Sequence, residues 1–153
     1  MQHALKVIEA EWPVSLQQSV KHATARTQRC VSPNLDSRTA AQARRAQEIL
    51  HARVRRRQYF SPRLFSDPAW DVLLELYLAE LAQWKMSVSS LGLDAGIPPT
   101  TVLRWLEILQ NEGLVKRAKD PLDGRRVFVT LTDDGCEAMA AYFESQSPRL
   151  SSV

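Results

Sequence analysis

Apolar positions recur at helical spacing in several stretches of the chain, and in shorter stretches they read as strands. The broadest helical face holds Trp70, Leu73, Leu74, Tyr77, Leu78 and Leu81, a wide stripe of the kind that faces a core. Ser66-Asp67-Pro68 opens it with a cap, an acidic first turn and a proline whose missing N–H costs nothing there. This predicts a central core helix running to about Trp84. Upstream, residues 39–60 are rich in Ala, Arg, Gln and Glu, with Thr39 or Ser37 as cap and Pro62 at or beyond the end. Ala43, Ala46, Ile49 or Leu50, and Val54 make a narrow stripe of mostly small residues, suited to close packing on another helix. Downstream, Met86–Val88 predicts a minimal strand and Ser89–Ala95 a short helix with Leu91 inward. Gly96 then allows a tight exit and Ile97 plugs the core. Pro98 and Pro99 start a second helix with Val102, Leu106 and Leu109 on one face, bordered by Trp105. Thr100, Thr101 and Arg104 fall on the other face. Gly113 is a C-cap glycine, followed by Leu114. Val115–Lys119 and Arg126–Leu131 then read as strands, the second alternating Val127, Val129 and Leu131 against Phe128 and Thr130. Between them Asp-Pro-Leu-Asp-Gly-Arg is a hairpin tip. Thr132-Asp133-Asp134 caps a last helix that reaches about Ser145.

Short helix, turn, amphipathic helix, hairpin and helix is the order of parts in a winged helix-turn-helix. The predicted fold is therefore mostly α with a small β-hairpin wing (α+β), carrying an N-terminal helical extension. Residues 1–38 read as an arm or linker, partly disordered, because SLQQSVKHATARTQ is a marginal helix alone and VSPNLDSR has turn chemistry. Residues 39–60 are expected to be a dimerisation helix, 61–146 the winged domain and 147–153 a flexible tail.

The chemistry follows from this placement. A helix that reads the major groove exposes small polar groups and an arginine in its N-terminal half. In the expected recognition helix, residues 98–112, Pro99, Thr100, Thr101 and Arg104 supply them. A threonine hydroxyl reaches a phosphate or a base edge, and an arginine reaches guanine O6 and N7 bidentately. In the wing, residues 120–126, Arg125 and Arg126 suit a narrow minor groove, with strand alternation able to turn Arg126 elsewhere. Asp123, two residues before Arg125, is placed to hold that side chain. The run Arg53, Arg55, Arg56, Arg57 reads equally well as a phosphate-binding cluster and as a solvated helix end favoured by the macrodipole.

Composition narrows the field further. Net charge is +3, with 20 Lys and Arg against 17 Asp and Glu. Residues 1–65 carry a net charge of +8 and residues 66–153 a net charge of −5, so a polyanion is drawn to the N-terminal part and to local basic spots on the wing. No apolar run approaches the roughly 18 residues that span a bilayer. Acidic residues interrupt the start where a signal peptide needs an apolar core. Cys30 and Cys136 show no metal spacing and suit a reducing cytoplasm. His3, His22 and His51 are too scattered for a metal site. No nucleophile–base pair, phosphate loop or carboxylate pair is evident, so neither catalysis nor a cofactor is expected. The competing reading is a protein-interaction module built on a winged-helix scaffold.

Thr100–Leu109, the run Glu-Gly-Leu-Val-Lys-Arg at 112–117, Asp-Pro-Leu-Asp-Gly-Arg-Arg at 120–126 and Leu-Thr-Asp-Asp-Gly at 131–135 together resemble MarR-type winged-helix transcriptional regulators. The resemblance covers roughly residues 66–145. It implies a dimeric regulator bound to an inverted repeat of double-stranded DNA. It further implies base and phosphate contacts from Pro99, Thr100, Thr101 and Arg104, and a minor-groove contact from Arg125. Only 18 residues follow Gly135, fewer than that family's long C-terminal helices need. The homodimer interface is therefore expected on the helix of residues 39–59, with Tyr142 and Phe143.

Overall fold

The computed structural model describes residues 37–61 and 64–146. Expectations for the N-terminal arm before residue 37 and for the tail lie outside the described residues. Within them the chain runs α1 (Ser37–Arg56), α2 (Pro68–Leu81), β1 (Met86–Ser87), α3 (Pro99–Asn111), β2 (Val115–Lys119), β3 (Val127–Leu131) and α4 (Asp133–Ser145). The three strands form one antiparallel sheet in the order β1-β3-β2. Val115 pairs with Leu131, and Met86 with Val129. The fold is an α+β winged helix with an N-terminal helix packed on it.

The core gathers around α2. Asp67 caps its start by accepting the Trp70 N–H at 3.4 Å, and Pro68 occupies the first turn. Val72, Leu74, Leu76, Tyr77, Leu78 and Ala79 are all buried, so the helix is covered on nearly every side rather than on one broad face. Trp70, Leu73 and Leu81, expected on that face, are only partly buried. The α1 stripe of Ala43, Ala46 and Leu50 is buried in the same core. Small side chains let α1 lie close to α2, so the stripe is used within one chain. Phe143 of α4 is also buried, its ring stacked on Tyr77 with centroids 5.4 Å apart. It is therefore not available to a partner, whereas Tyr142 remains partly exposed against Trp70.

One expected element is different. Residues 88–96 form a succession of turns, not the short helix predicted over Ser89–Ala95. Gly92 breaks the helix with φ +74°, and a Cβ there would stand 2.8 Å from Val102 Cγ2. The Ile97 N–H donates to the Gly92 carbonyl at 2.9 Å, turning the chain towards α3. Leu91, Ala95 and Ile97 still point into the core.

The exit from α3 is tightly bound to the wing. Gly113 at φ +75° and Leu114 donate to Gln110 and Leu109 carbonyls at 3.0 and 2.9 Å, the double bond of a Schellman C-cap. Thr132 then donates its hydroxyl to the Gly113 carbonyl at 2.6 Å and accepts the Gly135 N–H at 3.0 Å. A Cβ on Gly135 would lie 2.2 Å from the Leu114 carbonyl oxygen, so that approach requires glycine.

Candidate nucleic-acid interface

Helix α3 starts at Pro99, with Pro98 as a cap residue that makes no side-chain bond. Its buried side is Val102, Leu106 and Leu109, as the periodicity predicts. Pro99, Thr100 and Arg104 are exposed, while Thr101 is half-buried on the flank. Leu103 and Glu107 share the outward face, and the sequence reading passed over both. The detectable signal was spacing: Thr100, Leu103, Arg104 and Glu107 follow the three- and four-residue steps that align side chains along one helix face.

The wing is an ordered hairpin tip. Asp120 accepts the Leu122 N–H at 2.9 Å and Asp123 accepts the Arg125 N–H at 3.0 Å. Asp123 thus fixes the Arg125 backbone, where the sequence suggested that it holds the side chain. The Asp120 N–H and Arg126 N–H donate across the tip to the Arg126 and Asp123 carbonyls, both at 2.9 Å. Arg126 precedes β3 and folds back, with its guanidinium 3.8 Å from Asp120 and 5.9 Å from the Phe128 ring centroid. The Arg125 side chain makes no ion pair with any described residue. Beside the tip, Lys116, Arg117 and Lys119 are exposed on the edge strand β2. Arg117 ties that strand to α3 by donating from Nε to Gln110 Oε1 at 2.7 Å.

Two buried carboxylates position these parts. Glu75 of α2 is fully buried and accepts the Gly92 N–H at 2.9 Å, supporting the turn that leads into α3. Burial, above all, pushes its carboxyl up to about 8, and Asp94 and Asp71 add to the shift. Asp71, only 1% exposed, binds Arg53 through Nε and Arg57 through Nη2, the latter at 3.2 Å. Neither reading of the arginine run is correct for these two: they neutralise a core carboxylate. Arg56 lies 5.1 Å from the Phe65 ring centroid instead. The Cys136 thiol is pushed up by burial and by Glu80 and Asp133, which disfavours the reactive thiolate.

The structure thus sets an exposed helix face beside an ordered wing. The chain is similar to MarR-family winged-helix structures. Wild-type MarR from E. coli is 21% identical, with a TM-score of 0.45, over 69% of this chain and 73% of that one. S. aureus MepR, solved in a DNA-binding conformation, is 19% identical with a TM-score of 0.47, over 66% and 72% of the two chains. The PcaV transcriptional regulator of Streptomyces coelicolor, solved with its natural ligand, is 25% identical with a TM-score of 0.44, over 54% and 57%. The chain spans little more than half the length of some of these relatives, 51% for ZitR of Lactococcus lactis. No protein-family profile and no curated protein sequence matches the chain.

Proposed function

We propose that this chain is a non-enzymatic, sequence-specific transcriptional regulator that binds double-stranded DNA as a homodimer on an inverted repeat. Residues 98–112 enter the major groove, where Thr100 and Arg104 meet base edges or phosphates and Pro99 trims the approach. Thr101, half-buried, contributes from the flank. Residues 120–126 lie at the minor groove with Arg125 leading and Arg126 secondary. The observation that carries this reading is the pairing of an outward polar face on α3 with a neighbouring wing whose Arg125 is held by its backbone and has no intramolecular ion pair among the described residues. An arginine presented that way is suited to a narrow groove of negative potential.

Dimerisation belongs to the end of the helical extension. Tyr59, Phe60, Leu64 and Phe65 are exposed there, Tyr59 by 78%, and Phe60 and Phe65 are in edge-to-face contact. Exposed apolar groups gathered in one short segment mark an association surface more readily than scattered ones. Truncating α1 would uncover α2, so Tyr59→Ser with Phe60→Ser is the better probe. Sedimentation should show the double variant as a monomer, and an unchanged dimer would move the interface elsewhere.

Selection of bound duplexes from random DNA tests the whole reading. A pair of half-sites about one helical turn apart supports a symmetric dimer in adjacent major grooves. Thr100→Ala with Arg104→Ala should strongly weaken the sequence preference and leave the fold intact. Failure to enrich any sequence, together with salt-insensitive binding to a protein partner, would favour the protein-interaction alternative.

A further inference from the structure

Leu103 is 47% exposed on the outward side of α3, although Val102, Leu106 and Leu109 already supply the helix's buried side. Its neighbours three positions before and four positions after are Thr100 and Glu107, and Arg104 follows it directly; all three are exposed and polar. Placing this face in a major groove would bury the leucine side chain. The floor of that groove carries hydrogen-bonding groups at every base pair, and its one apolar group is the 5-methyl of thymine. Against guanine, adenine or cytosine edges the leucine would strip water from donors and acceptors without replacing those bonds, which is unfavourable. Against a thymine methyl both partners leave water together.

We infer that Leu103 reads the 5-methyl group of a thymine in each half-site, an assignment that rests on the DNA-binding function proposed above. It names one element of the recognised sequence, an A·T pair oriented with its thymine towards α3. Thr100 is the competing source of such a contact because its own methyl group lies one turn earlier on the same face.

The test uses the full chain and a duplex selected from random DNA, with each thymine replaced in turn by deoxyuracil, which removes only the methyl. At one symmetric position per half-site, removal should weaken binding by about fourfold per methyl, the effect of leaving one buried carbon without its partner. Leu103→Ala should bind thymine and uracil duplexes equally. Thr100→Ser, which deletes the rival methyl, should keep the discrimination. Circular dichroism checks that each variant is folded, as expected for exposed positions. The assignment is overturned if no uracil position weakens the wild-type protein, or if Leu103→Ala discriminates as the wild type does. If no duplex is enriched in the first place, the DNA-binding function itself fails, a result distinct from a selected duplex that ignores the methyl.

Discussion

Replacing Asp71 by alanine would leave the guanidinium groups of Arg53 and Arg57, which are largely covered, without the buried carboxylate they share, Arg53 keeping only the exposed Asp67 carboxylate at 3.9 Å. Breaking one side of a buried pair is strongly unfavourable because the remaining charge keeps its desolvation penalty. Asp71→Ala should therefore lower stability by about 3 kcal/mol in urea denaturation. Arg57→Ala should lower it less, since Arg53 still meets both Asp71 and the Asp67 carbonyl. An effect of Arg57→Ala as large as that of Asp71→Ala, or none for Asp71→Ala, would contradict this division. Residues of one chemical type also separate in the wing. Arg126 is occupied with Asp120 and Phe128, whereas the Arg125 side chain has no such engagement among the described residues. In a DNA titration, Arg125→Ala should reduce affinity roughly tenfold or more, in line with about 1–3 kcal/mol for a good arginine contact. Arg126→Ala should do much less. The reverse order would show that the hairpin tip rearranges on DNA.

At the scale of elements, the decisive junction is that between α2 and the turns of residues 88–96. Glu75 makes it by accepting the Gly92 N–H, while its other oxygen, Oε1, has no partner among the described residues. With its carboxyl raised from an ordinary 4.5 to about 8, folded Glu75 keeps a proton that the unfolded chain releases. Folding then takes up a proton between these two values, and stability falls as pH rises from about 4.5 to about 8. The shift corresponds to roughly 5 kcal/mol by the end of that window, part of which water entering around the ionised group would relieve. Glu75→Gln keeps the acceptor for Gly92 and removes the titration, so its denaturation midpoint should be nearly flat over the same range and exceed that of the wild type near pH 8. A wild-type profile that does not fall towards pH 8 would show that Glu75 is ionised in the fold. These same groups mark the limit of what the sequence could show. Every helix and strand from Pro68 onward was legible from periodicity and caps, apart from residues 89–95, because local pattern decides those elements. The turns were misread because the pattern in Leu-Gly-Leu-Asp-Ala suits a helix. In the fold Gly92 takes φ +74° and approaches Val102 too closely for any side chain. Asp71 and Glu75 sit four apart on a helix and read as its polar side. Their burial depends on Arg53, Arg57 and Gly92, partners that lie 14 to 18 residues away in the chain and that no local pattern reveals. Leu103 and Glu107 were visible in the spacing but overshadowed by the threonines and Arg104.

At the scale of the whole molecule, the proposed function needs a source of attraction to a phosphate backbone, because α3 itself carries Arg104 opposed by Glu107 on one exposed face. Residues 66–153 bear a net −5 in total, so general affinity must arise from local groups. On the wing these are Lys116, Arg117 and Lys119 of β2, with Arg125 at the tip. Arg117 is already committed to Gln110, leaving Lys116 and Lys119 as exposed point charges on the edge strand. Lysines on an edge strand also discourage strand-to-strand association, and that role alone would give them no effect on DNA binding. The two roles separate by salt titration. Affinity that comes from phosphate neutralisation falls linearly in log–log terms, by about 0.9 in slope for each phosphate neutralised. Lys119→Ala should weaken binding to all sequences alike and make the slope shallower by about 1 per protomer. Arg104→Ala should instead relax the preference at one base pair of each half-site. A slope that stays the same in both Lys116→Ala and Lys119→Ala would assign the lysines to protection of the edge strand. The backbone contacts would then fall to other exposed cations, among them Arg44, Arg45 and Arg55 of α1 and Lys85.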